Sequence, residues 1–271
     1  MTLPDVQSEP DIRGIGIDEV GISGLRYPVS VFHAEQGKQD TVANISLSVS
    51  LPPEQKGSHL SRFVEVLDAH AGELTPHSIP AVLQHLRDRL DARSARLVMR
   101  FPYFLRRSAP VSGASALVDY TCGINASIND DGVEFAISAS VPVTSVCPCS
   151  KAISNYGAHN QRGIVTIHAV PSWSDDADSV WLEDLIETAE ASGSSPVYPL
   201  LKRGDERHVT MAAYDHPVFV EDMVRSVAEG LRHDPRLVRF SVEAVNDESI
   251  HNHAAFARLA WPPSQPEAAR W

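Results

Sequence analysis

One order of secondary-structure signals occurs twice along this 271-residue chain. Residues 24–34 (GLRYPVSVFHA) and 40–51 (DTVANISLSVSL) alternate apolar and polar side chains with period two, and Gly37 lies between them. That predicts a β-hairpin, closed off by Pro52-Pro53. Residues 59–70 place Leu60, Phe63, Val64 and Leu67 at helical spacing. A second helix is expected from Pro80 to Ala95 with Val82, Leu83, Leu86 and Leu90 as its stripe. Strands follow at 96–105 and 112–126. The order then begins again, with strands at 131–146 and 162–171, helices at 180–192 and 217–233, and strands at 236–246 and 254–261. Asp234-Pro235 ends the second of these helices. The repeat is of pattern rather than of letters. It predicts an α+β fold of two ββααββ modules, 21–128 and 129–262, between an extended arm (1–20) and a loose tail (263–271). Antiparallel sheets with helices on one face leave edges that need cover. Joining modules into a multi-module β-barrel covers them, so an oligomer is expected. The alternative is a two-domain α+β monomer.

Charge narrows the partners. The chain has 23 Lys and Arg against 35 Asp and Glu, a net charge of −12. Such a surface repels polyanions, so no nucleic-acid partner is expected, although a local basic cluster could still hold a phosphorylated small molecule. Three cysteines are an odd number and form no disulfide framework, which fits a reducing cytoplasm. The first residues lack the basic-then-apolar order of a signal peptide, and no apolar run has membrane-spanning length.

Chemistry concentrates between the first two strands of the second half. The segment VPVTSVCPCSK, continuing to GAHNQR, holds Cys147 and Cys149 on either side of Pro148, with His159 twelve positions after Cys147. Apolar and β-branched runs flank it on both sides. It reads as a strand–loop–strand whose loop carries metal ligands and nucleophiles. The plainer reading is a reduced thiol pair beside a surface histidine.

These residues resemble one family. The stretches PVTSVCPCSKAISNYGAHNQRG, VYPLLKRGDERHVTMAAYDHPVFVEDMVR, NDESIHNHAAFA and KGSHLSRFVEVLD are similar to those of GTP cyclohydrolase IB, and the likeness covers about 20–262. The resemblance implies the tunnelling fold, two tandem ββααββ modules with antiparallel sheets, and a ring of modules, most simply a homotetramer. It implies conversion of GTP and water to formate and 7,8-dihydroneopterin triphosphate for folate synthesis, with a divalent metal (Mn, Zn or Fe) as cofactor. Two positions depart from the family pattern. Leu60 stands where Met is usual, read as a mild swap within the core, and Met211 stands where Glu is usual.

The reaction adds water at guanine C8, and a metal that lowers the pKa of water needs ligands with an open position plus proton carriers. Cys147 is the first expected ligand. Cys149, two positions on along an extended chain, could share the role or support the loop. His159 is the second ligand, and the resemblance adds Glu206. A mixed sulfur, nitrogen and oxygen set has no single preferred metal. His251 completes the site or shuttles protons. Glu248 orients it or acts as base, and His253 stands behind them. The catalytic set is thus Cys147, His159, Glu248 and His251, and the metal set Cys147, His159, Glu206 and His251. Lys202 and Arg203 are candidates for the triphosphate, with Lys151 weaker and Arg62 reaching across a module or subunit boundary. Glu221 is expected to accept from guanine N1–H and N2–H₂, as a glutamate does in tunnelling-fold enzymes; Asp222 is the neighbouring alternative. Three other readings compete. An archaeal-type cyclohydrolase shares the motifs but yields a 2′,3′-cyclic phosphate. The nitrile reductase of queuosine synthesis shares the fold, but its motif is not found. A metal-binding or thiol-redox module would release no formate.

Overall fold

The computed structural model describes residues 5–34, 37–70, 74–172 and 179–263. Nine strands and six α-helices are present among them. The strands are β1 (Ile17–His33), β2 (Gly37–Leu51), β3 (Ala95–Ser108), β4 (Ser115–Asn129), β5 (Gly132–Val146), β6 (Asn160–Pro171), β7 (Ser195–Pro196), β8 (Leu237–Asp247) and β9 (Ala254–Trp261). The helices are α1 (Ser61–Ala69), α2 (Ile79–Leu90), α3 (Pro148–Ile153), α4 (Leu182–Ser192), α5 (Arg203–Asp215) and α6 (Val220–Leu231). The sheet order is β1-β2-β3-β4-β5-β6-β8-β9, with β7 paired to β5. It does not close on itself: β1 and β9 end the order. No described helix is long and apolar enough to cross a membrane.

The backbone divides into two compact units. The first comprises Met1–Pro102 and Gly123–Ala136. Its first hairpin forms as expected, with Gly37 at a φ of +77° that favours glycine at the turn. Alternate residues of β2 and β3 face one core: Ile45, Leu47 and Val49 beside Leu97 and Met99. All four expected residues of α2 are buried there. The stripe of α1 differs from expectation. Phe63, Val66 and Leu67 are buried, whereas Leu60 and Val64 are 47% and 40% exposed. Leu60 sits at the N-cap, ahead of the first helical turn, so the departure from Met is not a change within the core of this chain. The N-terminal segment also differs from a free arm. Pro10 bridges Gln55, Gln7 Nε2 donates to the Ser58 carbonyl at 2.9 Å, and β1 begins at Ile17.

The second unit comprises Tyr103–Cys122 and Ile137–Trp271. Here β5, β6 and β8 pair antiparallel and bury Ala139, Val141, Val165, Ile167, Val242 and Ala244 on one face. Helices α4 and α6 pack on each other and over this unit's strands. The stripe Met223, Val224, Val227 and Leu231 fixes α6. Each such burial contributes about 1.5–3 kcal/mol. The three long helices of this unit start alike: Asp184, Asp205 and Asp222, each at the third helical position, accept the N–H of Trp181, Lys202 and Phe219 at 2.9, 2.8 and 3.0 Å. Residues 202–206, a run of charged side chains around Gly204, therefore open a helix. Its apolar period is weak because Asp205 and Ala213 are its buried residues.

Candidate active site

The ends of β5, β6 and β8 meet at one place in the second unit. Val146 pairs Asn160, Ser145 pairs Gln161, and Gly163 pairs Asn246. One step beyond the β5–β6 ladder, the Cys147 N–H donates to the His159 carbonyl at 3.0 Å. Strand alternation then puts Ser145 and Cys147 on the same face as Gln161 and His159. Ser145, Gln161 and Asn246 are buried there.

Cys147 does not continue as extended chain. Pro148 occupies the first position of α3, which suits its fixed φ and missing N–H. Cys147 becomes the N-cap, and its Sγ accepts from the Ser150 N–H at 3.4 Å. Cys149 lies in the helix and is exposed, so the two thiols do not point alike as an extended chain would make them. The Ser150 Oγ in turn accepts from the His159 N–H at 3.3 Å, which ties both ends of the loop together. Lys151 leans away: its Nζ donates to the Tyr214 carbonyl at 2.5 Å and lies over that ring at 4.3 Å.

His159 is held by its ring. Nδ1 lies 2.7 Å from Gln161 Oε1 and 3.9 Å from Glu248 Oε2. The side chains of His159 and Glu248 are 12% and 14% exposed, so this contact is sheltered from water. Gln161 Nε2 reaches Ser145 Oγ and Glu248 Oε1, each at 3.5 Å, and Asn246 Nδ2 donates to Ser145 Oγ at 2.9 Å. Ser145 Oγ donates to the Val218 carbonyl at 2.9 Å, and the Val218 N–H donates to the Val146 carbonyl at 3.1 Å. The chain leading into α6 is thereby pinned beside Cys147. Glu221 follows three residues later, exposed in the first turn of α6. Asp222 is occupied instead, accepting from the Phe219 N–H and lying 3.5 Å from Arg225.

The structure thus brings together Cys147, His159 and Glu248, with Glu221 at the adjoining helix start. His251 and His253 lie on the exposed β8–β9 connection, their rings stacked at 5.2 Å. Glu206, Lys202 and Arg203 are exposed at the start of α5. Arg62 belongs to the other unit, where its Nη1 donates to the Arg89 carbonyl at 3.4 Å. Among the described residues no three His, Cys, Asp or Glu side chains converge as a metal-binding group. Gln161, Ser145 and Asn246 were not singled out from sequence. A period-two count across the hairpin, Ser145 with Cys147 and Gln161 with His159, would have found the first two.

Comparison with known proteins identifies the family. A family model described as type I GTP cyclohydrolase folE2 matches residues 3–257. GTP cyclohydrolase FolE2 of Methylococcus capsulatus is 49% identical over 259 residues, covering 96% of this chain and 95% of that one. The protein of the same name from Azoarcus sp. is 47% identical over 258 residues, covering 95% and 94%. Among solved structures, uricase from Arthrobacter globiformis superposes with a TM-score of 0.53 at 10% identity, covering 94% of this chain and 95% of its own. Uricase from Bacillus fastidious gives 0.53 at 9%, covering 90% and 92%. Those two likenesses carry the fold alone. With more than nine-tenths of its length matched, the chain belongs to the type I GTP cyclohydrolase folE2 family.

Proposed function

We propose that this chain hydrolyses GTP to formate and 7,8-dihydroneopterin triphosphate, the opening step of tetrahydrofolate synthesis. The observation that carries the reading is the polar end of β5, β6 and β8, where Cys147, His159 and Glu248 meet beside the start of α6. A divalent metal fits the chemistry of these donors. A half-buried thiol and an imidazole suit Zn²⁺ or Fe²⁺, and a carboxylate makes Mn²⁺ tolerable. Cys147 and His159 would hold it, with Glu206 and His251 completing the proposed set. What a divalent metal supplies at such a site is activation of water toward guanine C8.

The remaining roles belong to side chains. Glu221 accepts from guanine N1–H and N2–H₂ through its two oxygens; the engagement of Asp222 with its own helix favours Glu221 over it. Lys202 and Arg203 take the triphosphate, assisted by Arg62. Glu248 carries a proton to or from the reacting base, and His251 is the second carrier. The cytoplasm keeps the three free cysteines as thiols.

The same proposal includes assembly of the modules into a β-barrel, most simply of four chains. An open sheet order supports it. So does an apolar row on the uncovered face of the second unit: Pro142 pairs Ile164, Ile164 pairs Val245, and Val245 pairs Phe256. Ile164 and Phe256 are 40% and 69% exposed in the single chain. A sedimentation run showing a fully active monomer would end the assembly proposal. Mixing Arg62→Ala with Cys147→Ala protein should regain partial activity if the site draws on two chains.

The decisive experiment measures formate from GTP. Release should stop on chelation and return with Mn²⁺ or Zn²⁺. Full turnover by metal-free protein would refute the metal role, and no formate at all would refute the enzyme. Mass analysis of the product separates the open triphosphate from a 2′,3′-cyclic phosphate.

A further inference from the structure

We infer that Gln161 is a positioning residue that fixes the proton of His159 on Nδ1 and so turns a bare Nε2 toward the site. The inference rests on the metal-dependent reading above and concerns a residue that reading does not use. It follows from the direction of four hydrogen bonds. The Val218 carbonyl can only accept, so the 2.9 Å contact with Ser145 Oγ takes the single hydroxyl proton of Ser145. Ser145 Oγ then has lone pairs alone to offer its other neighbours. Asn246 Nδ2, at 2.9 Å, uses one. The side chain of Gln161 must therefore present its NH₂ to Ser145, not its carbonyl. The second proton of that NH₂ points to Glu248 Oε1 at 3.5 Å. With the amide nitrogen so placed, Gln161 Oε1 faces His159 Nδ1 at 2.7 Å. An amide oxygen only accepts, so Nδ1 must carry the proton. Glu248 Oε2, 3.9 Å from the same nitrogen, favours the same tautomer.

A backbone carbonyl thus sets the polarity of a relay running Val218, Ser145, Gln161, His159. Such fixing of ring orientation by a partner on the far nitrogen is how a ligating histidine is kept ready. Asn246 holds the other side of Ser145, and Gly163 makes room for it. A Cβ on Gly163 would fall 2.4 Å from Asn246 Oδ1, which is buried without a hydrogen-bond partner among the described residues.

The test uses the full chain labelled with ¹⁵N-histidine, first metal-free and then titrated with Zn²⁺ against a chromophoric chelator. His159 is assigned by the resonance lost in His159→Asn. In the natural protein His159 should show the Nδ1–H tautomer. Gln161→Leu should lose that preference and weaken Zn²⁺ about 10–100-fold. Gln161→Glu, which keeps an acceptor opposite Nδ1, should restore the tautomer. If Gln161→Leu does not fold, Ser145→Ala provides the same readout, because the amide is then free to flip. An Nε2–H tautomer in the natural protein, or a Gln161→Leu variant with unchanged tautomer and Zn²⁺ affinity, overturns the role. Failure of the natural protein to bind Zn²⁺ would strike the metal reading instead, and the metal-free tautomer would still decide for or against Gln161.

Discussion

Two polar networks lie in the second unit, and they end differently. In one, Glu190 of α4 meets Tyr120 of β4 at 2.5 Å and Arg107 of β3 at 2.9 Å, while Arg107 Nε reaches the Tyr120 hydroxyl at 3.2 Å. Burial, then the hydrogen bond to Glu190, holds the Tyr120 hydroxyl far above its ordinary pKa of 10.0. In this network acid, base and hydroxyl face one another, although Arg107 Nη2, 2.9 Å from Glu190 Oε2, makes an ion pair without hydrogen-bond geometry. In the other, a relay runs from Val218 through Ser145 and Gln161 and stops at the His159 ring, whose backbone carbonyl accepts from the Cys147 N–H. A closed network fixes helix against strand. One that leaves valence over can take a ligand. The contrast recurs within two adjacent residues. Asp205 accepts four bonds, from the N–H groups of Val111, Ser112 and Lys202 and from the Ser112 hydroxyl, and these hold its carboxyl well below the usual range. Glu206 beside it is exposed.

Substitutions can break that contrast. The largest effect should come from the open network. Cys147→Ala should lose bound metal and formate release together, by roughly 10³-fold or more in rate, while Cys149→Ser keeps both. Metal loss in both variants would mean the two thiols act jointly. The closed network should respond in stability instead. Glu190→Ala leaves the half-buried Arg107 without its carboxylate, with the Tyr120 hydroxyl still beside it, at a cost of about 1–3 kcal/mol, seen as a lower denaturant midpoint. Its turnover per folded molecule should be unchanged, and a selective loss of turnover would move Glu190 into the site. Glu221→Gln should reduce GTP binding or turnover more than tenfold without unfolding, because an amide leaves a guanine donor unpaired at about 1–3 kcal/mol. Unchanged kinetics would return the anchor to Asp222.

The smallest effect lies in the first unit, where His70 Nε2 and His85 Nδ1 lie 3.3 Å apart. Burial, then the neighbouring His85, lowers the pKa of His70 from its ordinary 6.5. The unfolded chain therefore binds the proton more readily than the folded one. Stability from this site is complete above about pH 6.5 and falls as pH drops through the lower folded value. Denaturant midpoints at successive pH values below 6.5 should show the decline, and His85→Asn should make it shallower. An unaltered profile would clear this pair.

Much of this was legible without coordinates. Both hairpins, the α2 stripe and the span of α6 follow from apolar period, because burial on one face imposes that period directly. The Cys147–His159 pairing was legible from two strands joined by a ligand-rich loop. Two helices were missed for local reasons. Six residues of α3 contain too little pattern to count, and α5 is exposed along most of its length, so no apolar stripe marks it.

Sequence by itself determined the long strands, helices α2 and α6, the family and the small set of groups able to do this chemistry, since residue type and spacing are properties of the chain. Tertiary structure decided which of those groups are spent. Asp205 is structural because of Val111 and Ser112, 94 and 93 residues away, and Gln161 faces His159 with its carbonyl because of Glu248, 87 residues away, and Val218, 73 residues from Ser145; Asp222 is taken up by its own helix cap. Hydrogen-bond direction has no signature in a one-dimensional pattern; it is settled only when a donor and an acceptor from distant segments are brought within 3 Å.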